Sequence, residues 1–126
     1  MTNKTDTPTA ATLSVRELLH AKVKDLVGEL LGTIEDLAVD PATGRVTYAI
    51  LAFGGLLGVG EKLFPVPWDR LHWRAGDQAF VLQHHGRSRD DLARAPHAHR
   101  ERWRLDLVDH ARAAEFHSFY TWGPRG

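Results

Sequence analysis

Two hydrophobic patterns divide this chain. Up to about residue 85, apolar residues fall in short alternating or continuous runs separated by turn residues, which is typical of β-strands. Residues 97–120 contain neither Gly nor Pro and permit a helix. We therefore predict a mainly β domain over residues 13–85, built as a small barrel or sandwich of about six short strands, and a helical extension over residues 86–126.

The strongest local signal is a hairpin centred on residues 40–44. Asp40 and Pro41 open the turn and Gly44 takes the positive-φ position that closes it, between the apolar runs 33–39 and 45–53. Both faces of the second run are apolar, so we expect its strand to be central in the sheet.

A second turn is rich in glycine. Its glycines allow a tight crossover between strands, and they are Gly54, Gly55, Gly58 and Gly60. Glu61-Lys62 follows, where a phosphate-binding loop requires Lys-Ser or Lys-Thr, so this stretch does not predict a nucleotide site. In the next run, Pro65 and Pro67 cannot donate to a ladder, which predicts an edge strand or a bulge.

The N-terminal region allows two interpretations. Residues 1–12 are Thr-rich and polar, and we expect them to form a disordered leader. Ser14 and Glu17 have the spacing of a capping box and so indicate a short helix, but a loop that enters the first strand fits the same residues.

The C-terminal region is helical in pattern and rich in aromatic residues and arginine. We predict a short helix from about Ser88, stopped by Pro96, and a longer one with an apolar stripe. That stripe is formed by Leu105, Val108, Ala111 and Phe119. The aromatic side chains must pack on the barrel or on a neighbouring subunit. We predict an interface from Trp68, Trp103, Phe116, Phe119, Tyr120 and Trp122, and with it a homo-oligomer.

Composition narrows the function further. The 126-residue chain has 16 basic and 16 acidic side chains, whereas dedicated nucleic-acid binders carry a basic excess, so we expect no nucleic-acid partner. It has no cysteine, which fits the cytoplasm and excludes thiolate chemistry. The longest apolar run is far shorter than the roughly 20 residues that cross a membrane, so we expect no membrane insertion.

Histidines are the remaining candidates for chemistry. His97 and His99 have a spacing that can hold a metal from a strand, although surface or interface positions explain them as well. No nucleophile motif accompanies the Ser, His and Asp residues. We therefore expect neither an enzyme nor a bound cofactor.

Taken in order, these residues resemble the PRC-barrel domain. The resemblance spans about residues 15–122 and departs at Ala21, where a glycine is common. The residues that carry it are Gly28-Glu29, Leu31-Gly32, residues 34–37, Asp40, residues 44–51 and 53–68, Leu92, Ala95-Pro96, Trp103, residues 115–118 and Tyr120. It implies a small PRC-type barrel, as in the photosynthetic reaction-centre H subunit and a ribosome-maturation factor. Both use the barrel to hold protein partners, and stand-alone bacterial members are described as reaction-centre-like or stress-associated.

The resulting prediction is a non-enzymatic protein-interaction or structural module that self-associates. One alternative is an RNA- or ribosome-associated accessory protein, whose contact surface would be formed by Arg87, Arg89, Arg94, Arg100, Arg102 and Arg104. Another alternative is a barrel that binds a small ligand or a metal, although a barrel of few strands is filled by its own side chains.

Overall fold

A computed structural model of the chain describes residues 12–53, 62–83, 92 and 94–122. The predicted leader, the glycine-rich turn and the start of the predicted helix from Ser88 lie outside these residues, apart from Thr12. The elements are α1 (Val15–Leu18), β1 (Lys22–Lys24), β2 (Leu30–Asp40), β3 (Arg45–Ala52), β4 (Lys62–Pro67), β5 (Leu71–Arg74), β6 (Ala79–Leu82), β7 (Ala98–His99), α2 (Trp103–Val108) and α3 (His110–Trp122).

The described strands form one sheet in the order β5-β6-β1-β2-β3-β4-β7. Its pairs are antiparallel except β1 with β6, which are parallel. Strands β4 and β5 stand five places apart, roughly 24 Å in a flat sheet, yet a single 3-10 turn at Trp68–Arg70 joins them. A connection of that length spans at most roughly 14 Å. The sheet must therefore curl on itself, which confirms the predicted small barrel.

The β2–β3 hairpin has the predicted turn. Asp40 Oδ1 accepts a hydrogen bond from the Ala42 backbone N–H at 2.9 Å, and Gly44 has φ 77°. Strand β3 lies between β2 and β4, as its apolar faces predicted. At the start of the chain, Ser14 and Glu17 form both bonds of the capping box, so the helical interpretation of this region is the correct one.

The barrel interior is filled by the side chains of one face of the sheet. Leu51 pairs with Phe64 and Ala49 with Val66, and all four belong to the buried cluster. The ring of Phe64 stacks on that of Phe53 at 4.4 Å between centroids. Because alternate residues point to opposite faces, Ile50 and Pro65, and then Tyr48 and Pro67, point outward as paired residues.

The helical extension covers part of that outer face, because α3 packs against β4. Before the helices, Ala98 and His99 pair with Leu63 and Lys62 as β7. The sequence analysis predicted about six strands and a helix-permissive segment from residue 97. The seventh strand forms because the edge of β4 offers backbone partners that local sequence does not show. Beyond Leu63, β4 has no described neighbour on that side, so Pro65 and Pro67 lie at an edge, as predicted.

The predicted apolar stripe was wrong except at Phe119, which packs against the core. Leu105 and Val108 are 59% and 76% exposed, whereas Phe116 and Tyr120 are fully buried. The helix breaks at Asp109, whose Oδ1 accepts from the backbone N–H groups of Ala111 at 2.9 Å and of Arg112 at 3.1 Å. Asp109 itself is extended, with φ −87° and ψ 119°, so the faces of α2 and α3 are not continuous and a stripe extrapolated across the break fails.

Candidate functional site

An open groove lies where α3 leaves the outer face of the barrel uncovered. It has a volume of about 600 Å³, and its floor includes Tyr48 on β3 and Pro67 on β4, which stand opposite each other in the register. The remaining lining comes from both strand ends and from the helix: Arg45, Val46, Thr47, Trp68, Asp69 and His117.

The position of Trp68 follows from the end of β4. Pro67 closes the strand, and the chain turns at once into the 3-10 turn, which leaves Trp68 beside the groove. The indole also contacts the barrel core, because its ring lies 5.5 Å from that of Phe80. Trp73 packs on the same ring at 5.1 Å. Trp68 is thus fixed from the inside while it lines a surface groove.

The groove disfavours ionisation of Tyr48 still further than in a free tyrosine. Burial, and secondarily the carboxylate of Asp69, raise the pKa of the Tyr48 phenol, because both disfavour a second negative charge there. At neutral pH the phenol is therefore a hydrogen-bond donor. The Asp69 side chain is 78% exposed, and its nearest described cation is the Arg70 Nε at 3.9 Å.

A second, smaller pocket of about 280 Å³ lies between β2 and the helical extension. Two of its lining residues are paired, because Arg100 Nη1 donates to Glu35 Oε1 at 3.0 Å. Asp36, Leu63, Trp103 and Arg104 complete the lining. Since acidic and basic groups already neutralise each other here, this pocket reads as a polar seam that ties the extension to the barrel.

The six residues predicted as an interface are not gathered on one surface. Trp68 lines the groove and Trp103 lines the polar seam. Phe116 and Tyr120 are buried within their own chain, and Phe119 packs against the same core. The side chain of Trp122 lies outside the described part. Self-association through these six residues stays a prediction. Phe116 and Tyr120 do not support it, because both side chains are buried within their own chain.

The two histidines considered as a candidate metal pair, His97 and His99, lie together, with ring centroids 6.0 Å apart. Burial lowers the pKa of His97, and the nearby Lys62, His99 and Arg112 lower it further. Cations around the pair oppose a metal ion. Among the residues that the structure describes, no cluster of three or more His, Cys, Asp or Glu side chains could hold one.

The arginines of the RNA interpretation are only partly in view. Arg94, Arg100, Arg102 and Arg104 are described, and Arg100 is neutralised by Glu35. Arg87 and Arg89 fall outside the described ranges. At least one of the four described arginines is therefore neutralised by an acidic side chain of the barrel.

Sequence analysis missed three groups that the structure makes prominent. Tyr48 and His117 were not predicted to belong to one site, because nothing local shows that a strand and a distant helix share a groove. Asp25 is buried at 7% exposure, and its Oδ1 accepts from the backbone N–H of Val27 at 3.0 Å and of Glu29 at 2.8 Å. An Asp followed three residues later by Gly28 was a readable turn signal.

Fold and site together define a small β-barrel module with a packed interior, a helical flank and an open surface groove. Comparison with protein families finds the PRC-barrel domain over residues 11–84, which is more than half of the chain. The chain belongs to the PRC-barrel domain family. No curated protein matches it. Within the described ranges, none of the helices has the length and apolar character needed to cross a membrane.

Proposed function

We propose that this protein is a non-enzymatic protein-interaction module that holds a protein partner in its surface groove and also self-associates. One observation carries the proposal: the barrel interior is filled by the chain's own side chains, while the outer face keeps an open groove of about 600 Å³. A packed interior leaves little room for a small ligand inside the barrel. A groove rimmed by charges and floored by aromatic and apolar atoms suits a protein segment.

Further support comes from the family, since a PRC-barrel domain indicates a non-catalytic module. The absence of cysteine suits action in a reducing compartment, and we place the protein in the cytoplasm on that ground. We do not favour the RNA interpretation, because the chain has a net charge of zero and Arg100 is paired with Glu35.

The test is affinity capture from native cell extract at near-physiological salt, with and without nuclease. The bait is compared with Arg45→Glu, which reverses the charge at the groove, and with Arg16→Glu, which makes the same change on the exposed face of α1. We expect a stoichiometric protein partner with the wild type and Arg16→Glu, and its loss with Arg45→Glu. Capture that vanishes with nuclease, or that ignores Arg45, would contradict a protein partner in the groove.

Self-association has its own measurement. Sedimentation equilibrium over a tenfold concentration range should give a mass that is a multiple of the 14.1 kDa chain. A mass equal to one chain at the highest concentration would remove self-association and leave the partner-binding part standing.

A further inference from the structure

The edge of the sheet at the groove is unsuited to pairing with another strand. Strand β4 pairs with β7 only at Lys62 and Leu63, so its second half has no described neighbour on that side. Pro65 and Pro67 occupy this half and have no backbone N–H groups. An incoming segment would find no regular ladder here, and its recognition must come from the side chains of the groove.

Those side chains are mostly hydrogen-bond donors. Arg45 carries a guanidinium, Trp68 an indole N–H and Tyr48 a phenol that is protonated at neutral pH. His117 can donate as well, whereas the Thr47 hydroxyl already donates to the Ala38 carbonyl oxygen at 3.2 Å. A segment that suits such a surface presents acceptors and few donors. A proline-containing segment in the polyproline II conformation does so, because it has no internal hydrogen bonds and each proline lacks an N–H.

The floor of the groove fits the same kind of segment. Tyr48, Pro67 and Trp68 present aromatic and apolar surface side by side, and polyproline II segments dock in aromatic-lined grooves of this kind. From Arg45 to Tyr48 the strand covers three residue steps, roughly 10 Å. About three residues of polyproline II, at roughly 3.1 Å each, match that length.

Asp69 adds a charge preference. It is the one acid among the described residues that line the groove, its side chain is 78% exposed, and it is a pure acceptor when ionised. A Lys or Arg side chain beside the proline segment would pair with it. An acidic flank would instead meet repulsion at this end.

We propose that the groove binds an extended, proline-containing segment of a partner protein, with a Lys or Arg of that segment against Asp69. This deepens the proposed function and rests on it, because it specifies the chemistry of the partner that the groove holds.

The experiment uses the purified full chain and synthetic peptides, in a fluorescence anisotropy titration at low salt. The probe is a labelled peptide of about ten residues with repeated Ala-Pro-Pro and two terminal arginines. One control peptide replaces every proline by alanine, and a second replaces the arginines by glutamate. We expect saturable binding of the probe, and at least about fivefold weaker binding of each control peptide.

Protein variants locate the contact. Asp69→Asn should weaken probe binding about two- to fivefold, the range of an exposed ion pair, and lose most of that effect at high salt. Tyr48→Phe should weaken it about two- to tenfold, as for one neutral hydrogen bond. Asp77→Asn removes an acid that lies outside the groove, in the turn before β6, and should bind as the wild type does.

Equal binding of the proline-free or acidic peptide by the wild type would overturn the inference without relying on any variant. So would an absence of probe binding at millimolar concentration, or wild-type affinity in both Asp69→Asn and Tyr48→Phe. In each of those cases a partner captured from extract in an Arg45-dependent way would still support the proposed function. Peptide binding without any captured partner would support the groove chemistry alone.

Discussion

Replacing Phe116 by alanine tests whether the helical extension is part of the folded barrel. The ring is fully buried in α3, and the Arg112 guanidinium lies 4.8 Å from its centroid. A buried aromatic side chain removes roughly 150–250 Å² from water, which at about 25 cal/mol per Å² is worth about 4–6 kcal/mol. Alanine keeps a small part of that area, and Phe→Ala changes in cores cost about 3–5 kcal/mol. We therefore expect Phe116→Ala to lower the free energy of unfolding by about 4 kcal/mol.

The matched control is Val108→Ala. Val108 belongs to the stripe predicted from sequence, but it is 76% exposed, so its truncation should change stability by less than about 0.5 kcal/mol. Both variants are unfolded in urea and followed by circular dichroism, at micromolar protein and again at tenfold higher concentration. An effect of Phe116→Ala below about 1 kcal/mol, or an equal effect of Val108→Ala, would refute the packing described for α3.

Three further predictions concern the barrel and the extension. Gly32→Ala should lower the free energy of unfolding by at least about 2 kcal/mol and weaken the β2–β3 pairing, because a Cβ at Gly32 would lie 2.1 Å from the Ala52 carbonyl oxygen. A urea midpoint like that of the wild type would contradict this close approach. Asp25→Ala should lower the free energy of unfolding by about 1–3 kcal/mol, since two backbone N–H groups of the loop lose a charged acceptor. An unchanged thermal midpoint would contradict this and show that water replaces the carboxylate. His97 has a folded pKa below its usual 6.5, so the unfolded chain takes up the proton first and stability should fall as the pH drops from about 6.5 towards the lowered value. Urea unfolding between pH 7.5 and 5 should show a flatter profile for His97→Gln than for the wild type or the exposed control His110→Gln, and an unchanged slope would show that His97 is not the group responsible.

The charges around His97 explain why the loss of stability at low pH should arise at the helical extension. Lys62 on β4, His99 on β7 and Arg112 on α3 all face it as cations or potential cations. Asp106 and Glu115 offset Arg112 through ion pairs. Arg112 Nη2 also donates to the His97 carbonyl oxygen at 2.8 Å. A proton on His97 therefore adds positive charge at the junction where β7 and α3 meet β4.

Local chemistry in the sequence was enough for the barrel strands and their turns. The Asp40-to-Gly44 turn needs a φ that glycine adopts without strain, and Ser14 and Glu17 satisfy each other's backbone groups. Both are short-range effects, visible within five residues. The edge position of β4 could be predicted in the same way, because Pro65 and Pro67 lack a backbone N–H in any structure.

The structure of the helical extension could not be predicted fully from local sequence. Asp109 is as good a cap as Ser14, but residues 97–120 also fit one continuous helix, and propensity alone does not choose between them. The buried face is then set by where α3 meets β4, so Phe116 is inside and Val108 outside. The strand β7 likewise exists only because β4 has an open edge beside it.

The sequence by itself determined the β class, the main hairpin, the proline edge and the family resemblance, since each depends on backbone preferences of neighbouring residues. Only the tertiary structure decided the seventh strand, the face of the extension that is buried, and the groove that brings Tyr48, Asp69 and His117 together. Those residues are far apart along the chain, and their meeting follows from the curl of the sheet and the docking of α3, which no local pattern encodes.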